Sequence, residues 1–128
     1  MICLDSTFII DYFRGDEKAK NLLFKLDKDF LFTTEITLFE VGFGMINTNK
    51  KNFDLFTKFI ERIKIIPATT FFSLESAKIK KELESKGRKI SSMDLLILGM
   101  MRSYGIKKIV TRNSKHFEGV DDISVINY

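Results

Sequence analysis

The sequence predicts an α/β protein built on a parallel sheet. Two observations carry that expectation. Short apolar runs alternate with longer stretches of helical periodicity. No internal repeat, low-complexity tract or linker interrupts the 128 residues, and Pro67 is the only proline. The length matches a single domain spanning residues 1–128. Hydrophobic residues make up 45% of the chain and charged residues 30%, which is ordinary globular composition and excludes disorder.

Ile2 to Leu4 reads as a short buried strand. Asp5-Ser6-Thr7 follows as a turn able to cap a helix from Phe8 to Arg14, which Gly15 stops. Ala19, Leu22, Leu23 and Leu26 fall on one helical face. Phe30 to Phe32 reads as the second strand. Thr33 or Thr34 then caps a helix running from about Glu35 to Ile46. Phe53, Phe56, Phe59, Ile60 and Ile63 form a further amphipathic stripe. Lys64 to Ile66 is a short strand closed by Pro67. Ser73 to Lys86 is a charged helix ended by Gly87. Ser91 or Ser92 caps the next helix, Met93 to Tyr104, with Gly105 as its stop. Lys107 to Thr111 and Ile123 to Ile126 complete the strands.

Residue counts exclude several chemistries. One cysteine, Cys3, rules out an intramolecular disulfide and a Cys-rich zinc site. One histidine, His116, rules out a multi-histidine metal site. The N-terminus meets Asp5 too soon for a signal peptide. The longest apolar run, Leu95 to Met101, is far too short to cross a bilayer. A cytoplasmic protein with no membrane partner is therefore expected. The formal charge of +4 and pI near 9.2 permit a nucleic-acid partner without requiring one.

Function is expected where acids occupy costly places. Asp5 directly follows the apolar strand Ile2-Cys3-Leu4, and sites in parallel sheets form at the carboxyl ends of strands. A plain helix cap would explain it equally well. Glu40 lies within Ile36-Thr37-Leu38-Phe39-Glu40-Val41-Gly42-Phe43, apolar on nearly every side, unless it shares an exposed stripe with Thr37 and Gly44. Asp94 opens the most hydrophobic helix, where the helix N-terminus favours its anion; serving Ser91 or Ser92 as a capping partner is the simpler role. Asn113 follows the strand Ile109-Val110-Thr111, where a turn residue is the default. Convergence of the three acids would make a hard-oxygen site suited to Mg²⁺ or Mn²⁺. Such an ion needs no histidine base to hydrolyse a phosphodiester.

The ordered motifs resemble those of the PIN-domain ribonucleases, most closely the VapC-type toxins. Ile2 to Asp11 resembles the family's first motif, an acid after an apolar strand followed by Ser/Thr. Thr34 to Gly44 resembles the second, centred on a helical Glu. Ile90 to Ile97 resembles the third, and Val110 to Phe117 the fourth. The resemblance spans the whole chain. It implies a three-layer α/β/α fold with parallel strand order 3-2-1-4-5. It implies metal binding by Asp5, Glu40 and Asp94, with Asn113 completing the catalytic set. It also implies an RNA substrate, a small antitoxin partner and a homodimer. Many relatives carry a fourth acid where Asn113 or His116 stands here, which leaves one or two metals open. An RNA-processing nuclease without an antitoxin, and a catalytically weak RNA- or protein-binding module, are the rival functions.

Among the basic residues, Lys78 to Lys81 read as a solvated helix face, while Arg112 is the candidate for a phosphate contact. The Phe53, Phe56 and Phe59 stripe reads as core or dimer interface.

Overall fold

A computed structural model describes all residues 1–128. Five short strands form its centre: β1 (Ile2–Leu4), β2 (Leu31–Thr34), β3 (Lys64–Ile66), β4 (Lys108–Val110) and β5 (Ser124–Ile126). They pair in parallel in the order β3-β2-β1-β4-β5, the expected order. Seven helices surround them: α1 (Ser6–Phe13), α2 (Glu17–Lys25), α3 (Glu35–Ile46), α4 (Lys50–Ile60), α5 (Phe72–Ser85), α6 (Ser92–Ser103) and α7 (Ser114–Phe117).

Strand alternation builds two cores, one on each sheet face. Cys3 and Ile109, partners in the sheet, join one cluster with Ile79, Leu83, Leu98, Met101 and Phe117. Ile2, Leu4 and Val110 point the other way and join Phe8, Ile9, Val41 and Phe56. Helices α5, α6 and α7 thus cover one face, and α1 to α4 the other. That is the three-layer α/β/α arrangement.

The boundaries shift where side chains override apolar pattern. The second strand runs on to Thr34 rather than stopping at Phe32, because β-branched threonines extend it. Thr34 then accepts a hydrogen bond from the Thr37 N–H at 3.0 Å and caps α3, whose span is the one expected. Helix α1 starts at Ser6, two residues earlier than Phe8. The short helix α7 was not anticipated; it has no apolar periodicity to reveal it. Gly15, Gly87 and Gly105 all take positive φ where they end helices, as expected of stops in the left-handed region.

Helix α6 is buried over Leu95, Ile97, Leu98, Gly99, Met100 and Met101, and packs most extensively on α5. Ser91 caps it, accepting from the Asp94 N–H at 3.1 Å. No helix is long and apolar enough to cross a membrane.

Candidate active site

The chain runs from β1 outward to β2 and β3, then crosses back to β4 on the other side of β1. The carboxyl ends of β1 and β4 lie side by side at that reversal, where open α/β sheets leave a crevice. Leu4 pairs with Val110, and the Asp5 N–H donates to the Val110 carbonyl at 3.0 Å. The next side chains out, Asp5 and Thr111, therefore meet at the mouth of the crevice.

Asp5 occupies the N-cap position of α1, yet its side chain makes no capping bond. Its Oδ2 instead accepts hydrogen bonds from the Thr7 and Thr111 hydroxyls, both at 2.8 Å. The residue is only 4% exposed. Its Oδ1 accepts no bond from the chain and stays open to solvent, since no buried polar side-chain atom lacks a partner. One oxygen is thus fixed and the other free. Asp5 also helps hold the Cys3 thiol in its neutral form: burial raises the thiol's pKa most, and the neighbouring carboxylate adds to it.

Glu40 is half-buried on α3, between the two expectations of a buried acid and an exposed stripe; Thr37, one turn away, is fully buried. Burial pushes the Glu40 carboxyl above its usual range. The Ser6 hydroxyl opposes that rise, while the charges of Asp5 and Asp94 add to it. Glu40 therefore lies within reach of the charges of Asp5, at the junction of β1 and α1, and of Asp94, on α6.

Asp94 takes the simpler of its two candidate roles. It is the capping partner of Ser91, whose hydroxyl donates to Asp94 Oδ2 at 2.7 Å. Its charge also reaches Glu40, and its side chain is 16% exposed. His116 Nδ1 lies 3.1 Å from the same Oδ2, so the one histidine sits against an acid of the site. Asn113 is exposed at the start of α7 and makes no side-chain cap. Its N–H donates to the Thr111 hydroxyl at 3.0 Å, one hydrogen bond away from Asp5.

The donor set fits a hard divalent cation: carboxylate oxygens, one of them free, with unfavourable charges around Glu40 for a cation to relieve. The carboxylates do not form a ready-made cage, since no three Asp, Glu, His or Cys side chains stand close enough together. Water bridges suit such spacing, because Mg²⁺ keeps several of its waters.

Sequence reasoning missed Asp11, which is buried on α1 at 7% exposure, and Tyr128, whose hydroxyl donates to Asp11 at 2.8 Å. The signal was available for Asp11: an acid within Phe8-Ile9-Ile10-Asp11-Tyr12-Phe13 is as anomalous as Glu40 in its helix. Tyr128 carried none. A hollow of about 400 Å³ lies away from the acids, where Tyr12, Phe13, Leu55 and Phe59 meet Lys58 and Arg62.

A family model of the PIN domain matches residues 2–123, and the chain belongs to the PIN-domain family. It is 26% identical over 119 residues to the tRNA(fMet)-specific endonuclease VapC of Shigella flexneri, covering 91% of this chain and 89% of that protein. It resembles the structure of VapBC2 from Rickettsia felis bound to a DNA fragment from their promoter, with a TM-score of 0.85 and 25% identity over 100% of this chain and 99% of that one. A toxin–antitoxin complex from Klebsiella pneumoniae shares the fold, with a TM-score of 0.78 and 21% identity over 97% and 96% of the two chains.

Proposed function

We propose that this chain is a divalent-metal-dependent endoribonuclease acting in the cytoplasm as the toxin of a toxin–antitoxin pair. The feature that supports the reading is the approach of Asp5, Glu40 and Asp94, from the end of β1, α3 and the start of α6, near enough for the charges of Asp5 and Asp94 to raise the Glu40 carboxyl. The similarity to an RNA-specific endonuclease supports the choice of RNA as substrate. The fold of the toxin–antitoxin complexes supports a small antitoxin as partner. Residues 1–128 act as a single PIN domain.

A divalent ion held by Asp5 and Asp94 would polarise the phosphodiester and make an attacking water more acidic. The chain's residues do the rest. Asp5 offers Oδ1 while Thr7 and Thr111 hold Oδ2 still. Asp94 offers a carboxylate held at the α6 N-terminus by the Ser91 hydroxyl. Glu40, on a longer side chain, would hold a water and accept its proton as general base. Asn113 borders the pocket as a neutral hydrogen-bonding group for the scissile phosphate or its water.

The apolar floor of Tyr12, Phe13 and Phe59 with its basic rim of Lys58 and Arg62 suits an amphipathic, acidic segment of the antitoxin. Two copies of the toxin are expected to pair.

Purified protein incubated with RNA plus Mg²⁺ or Mn²⁺ tests the enzymatic reading. Cleavage should require the metal, stop with chelator and fall by more than about a hundredfold in Asp5→Asn. Cleavage that survives chelation, or that Asp5→Asn retains, overturns it.

A further inference from the structure

Asp11 lies on the apolar stretch of α1, where an ionised carboxylate must be compensated. Two groups from distant segments supply the compensation. Arg112 Nη1, from the turn after β4, lies 2.8 Å from both Asp11 oxygens. The hydroxyl of the C-terminal Tyr128, beyond β5, donates to Oδ2 at 2.8 Å. The Tyr128 ring stands edge-on to Phe8, with centroids 5.1 Å apart and planes at 82°. Burial, the hydrogen bond to Asp11 and its charge hold the phenol protonated, against the opposing influence of Thr7 and Arg112 beside it.

Arg112 grips α1 twice. Its side chain holds Asp11, and its backbone N–H donates to the Thr7 hydroxyl at 3.1 Å. That hydroxyl is the one that donates to Asp5 Oδ2. On either side of Arg112, Thr111 donates to Asp5, and Asn113 donates to Thr111. The cluster therefore ties the turn of residues 111–113 to the first turns of α1, and both hydroxyls on Asp5 depend on that tie.

We infer that Asp11, Arg112 and Tyr128 are positioning residues that set the orientation of Asp5 by clamping the turn after β4 and the C-terminus onto α1. This rests on the proposed role of Asp5 as a metal-binding carboxylate. Arg112, expected from the sequence to bind phosphate, is assigned to holding the site, because Asp11 already occupies its Nη1.

The test compares the wild-type protein with Tyr128→Phe, Asp11→Asn and Arg112→Lys. Circular dichroism establishes folding, calorimetry measures Mn²⁺ binding without RNA, and cleavage assays give kcat and KM. Tyr128→Phe keeps the ring on Phe8 and loses only the hydroxyl, so it carries the test even where Asp11→Asn fails to fold. Folded variants should bind Mn²⁺ about tenfold more weakly, the loss expected when an outer partner of a ligand is removed. Their kcat should fall by about tenfold or more while KM for RNA stays within about twofold. Unchanged Mn²⁺ affinity and kcat in folded Tyr128→Phe and Asp11→Asn overturn the inference. So does a raised KM at unchanged kcat in Arg112→Lys, which would make Arg112 a phosphate contact. Weakened Mn²⁺ binding in a protein that never cleaves RNA would sustain the clamp and overturn the proposed function alone.

Discussion

Asp5 and Glu40 carry the same charge into the same crevice, but their surroundings give them opposite energetic roles. Asp5 has two hydroxyls fixed on one oxygen, so its anion is compensated; Glu40 has burial and two neighbouring charges against it. The folded Glu40 carboxyl holds its proton more tightly than the unfolded one. The folded state therefore binds more protons between the two pKa values, and stability falls as pH rises from the ordinary glutamate range through the raised value. Glu40→Gln removes that loss. In chelator, the variant should melt above the parent near about pH 7, and the difference should vanish towards about pH 4. Thermal melts across that range measure it. Asp5→Asn should gain no such stability, because it weakens two hydroxyl bonds to a buried group. Its cost appears in activity: metal-dependent cleavage should drop by more than about a hundredfold, beyond the loss of an outer-shell partner.

At the scale of elements, α6 presents Asp94 because it is capped at one end and wedged against α5 along its length. The wedge depends on Gly99. A Cβ there would run into the Ser76 hydroxyl and stand 2.5 Å from the Phe72 carbonyl, so the two helix backbones could not keep their approach. Gly99→Ala should destabilise the protein by about 1–3 kcal/mol, as overpacking does, despite alanine's better helix propensity. Denaturant titration with an unchanged m-value would check it. The caps of α3 and α6 were legible as Thr34 and Ser91, since a hydroxyl before a helical pattern has one obvious partner three residues on. The tightness of α5 against α6 was not legible, because a glycine amid apolar residues does not say what crosses it.

Over the whole molecule, thirteen phenylalanines divide between core and surface in a way periodicity alone did not sort. The stripe expected to be core or interface splits: Phe56 is buried and Phe59 stacks on Tyr12, while Phe53 is marginally exposed at 37%. The large exposed set is elsewhere. Phe39, Phe43 and Ile46 recur at helical spacing on the outer face of α3, each about two-thirds exposed. An exposed apolar run of that kind on a small protein is a candidate interface. If the chain pairs as proposed, Phe39→Ser combined with Phe43→Ser should leave a folded monomer in sedimentation experiments where the parent sediments as a dimer. Unaltered sedimentation of the variant would place the interface elsewhere.

The sequence by itself determined the parallel α/β class, the helix stops at Gly15, Gly87 and Gly105, and the anomalous acids Asp5, Glu40 and Asp94. Each of these is a local conflict or preference: a positive φ that glycine relieves, or a charge among apolar neighbours whose desolvation must be offset. Tertiary structure alone decided which neighbours offset it. Thr7 and Thr111 stand 104 positions apart, yet their hydroxyls lie 3.1 Å from each other and both serve Asp5. Tyr128, 117 positions from Asp11, closes the same cluster. No periodicity encodes such pairs. They exist because parallel pairing of β1 with β4, and of β4 with β5, brings the start and the end of the chain to one edge of the crevice.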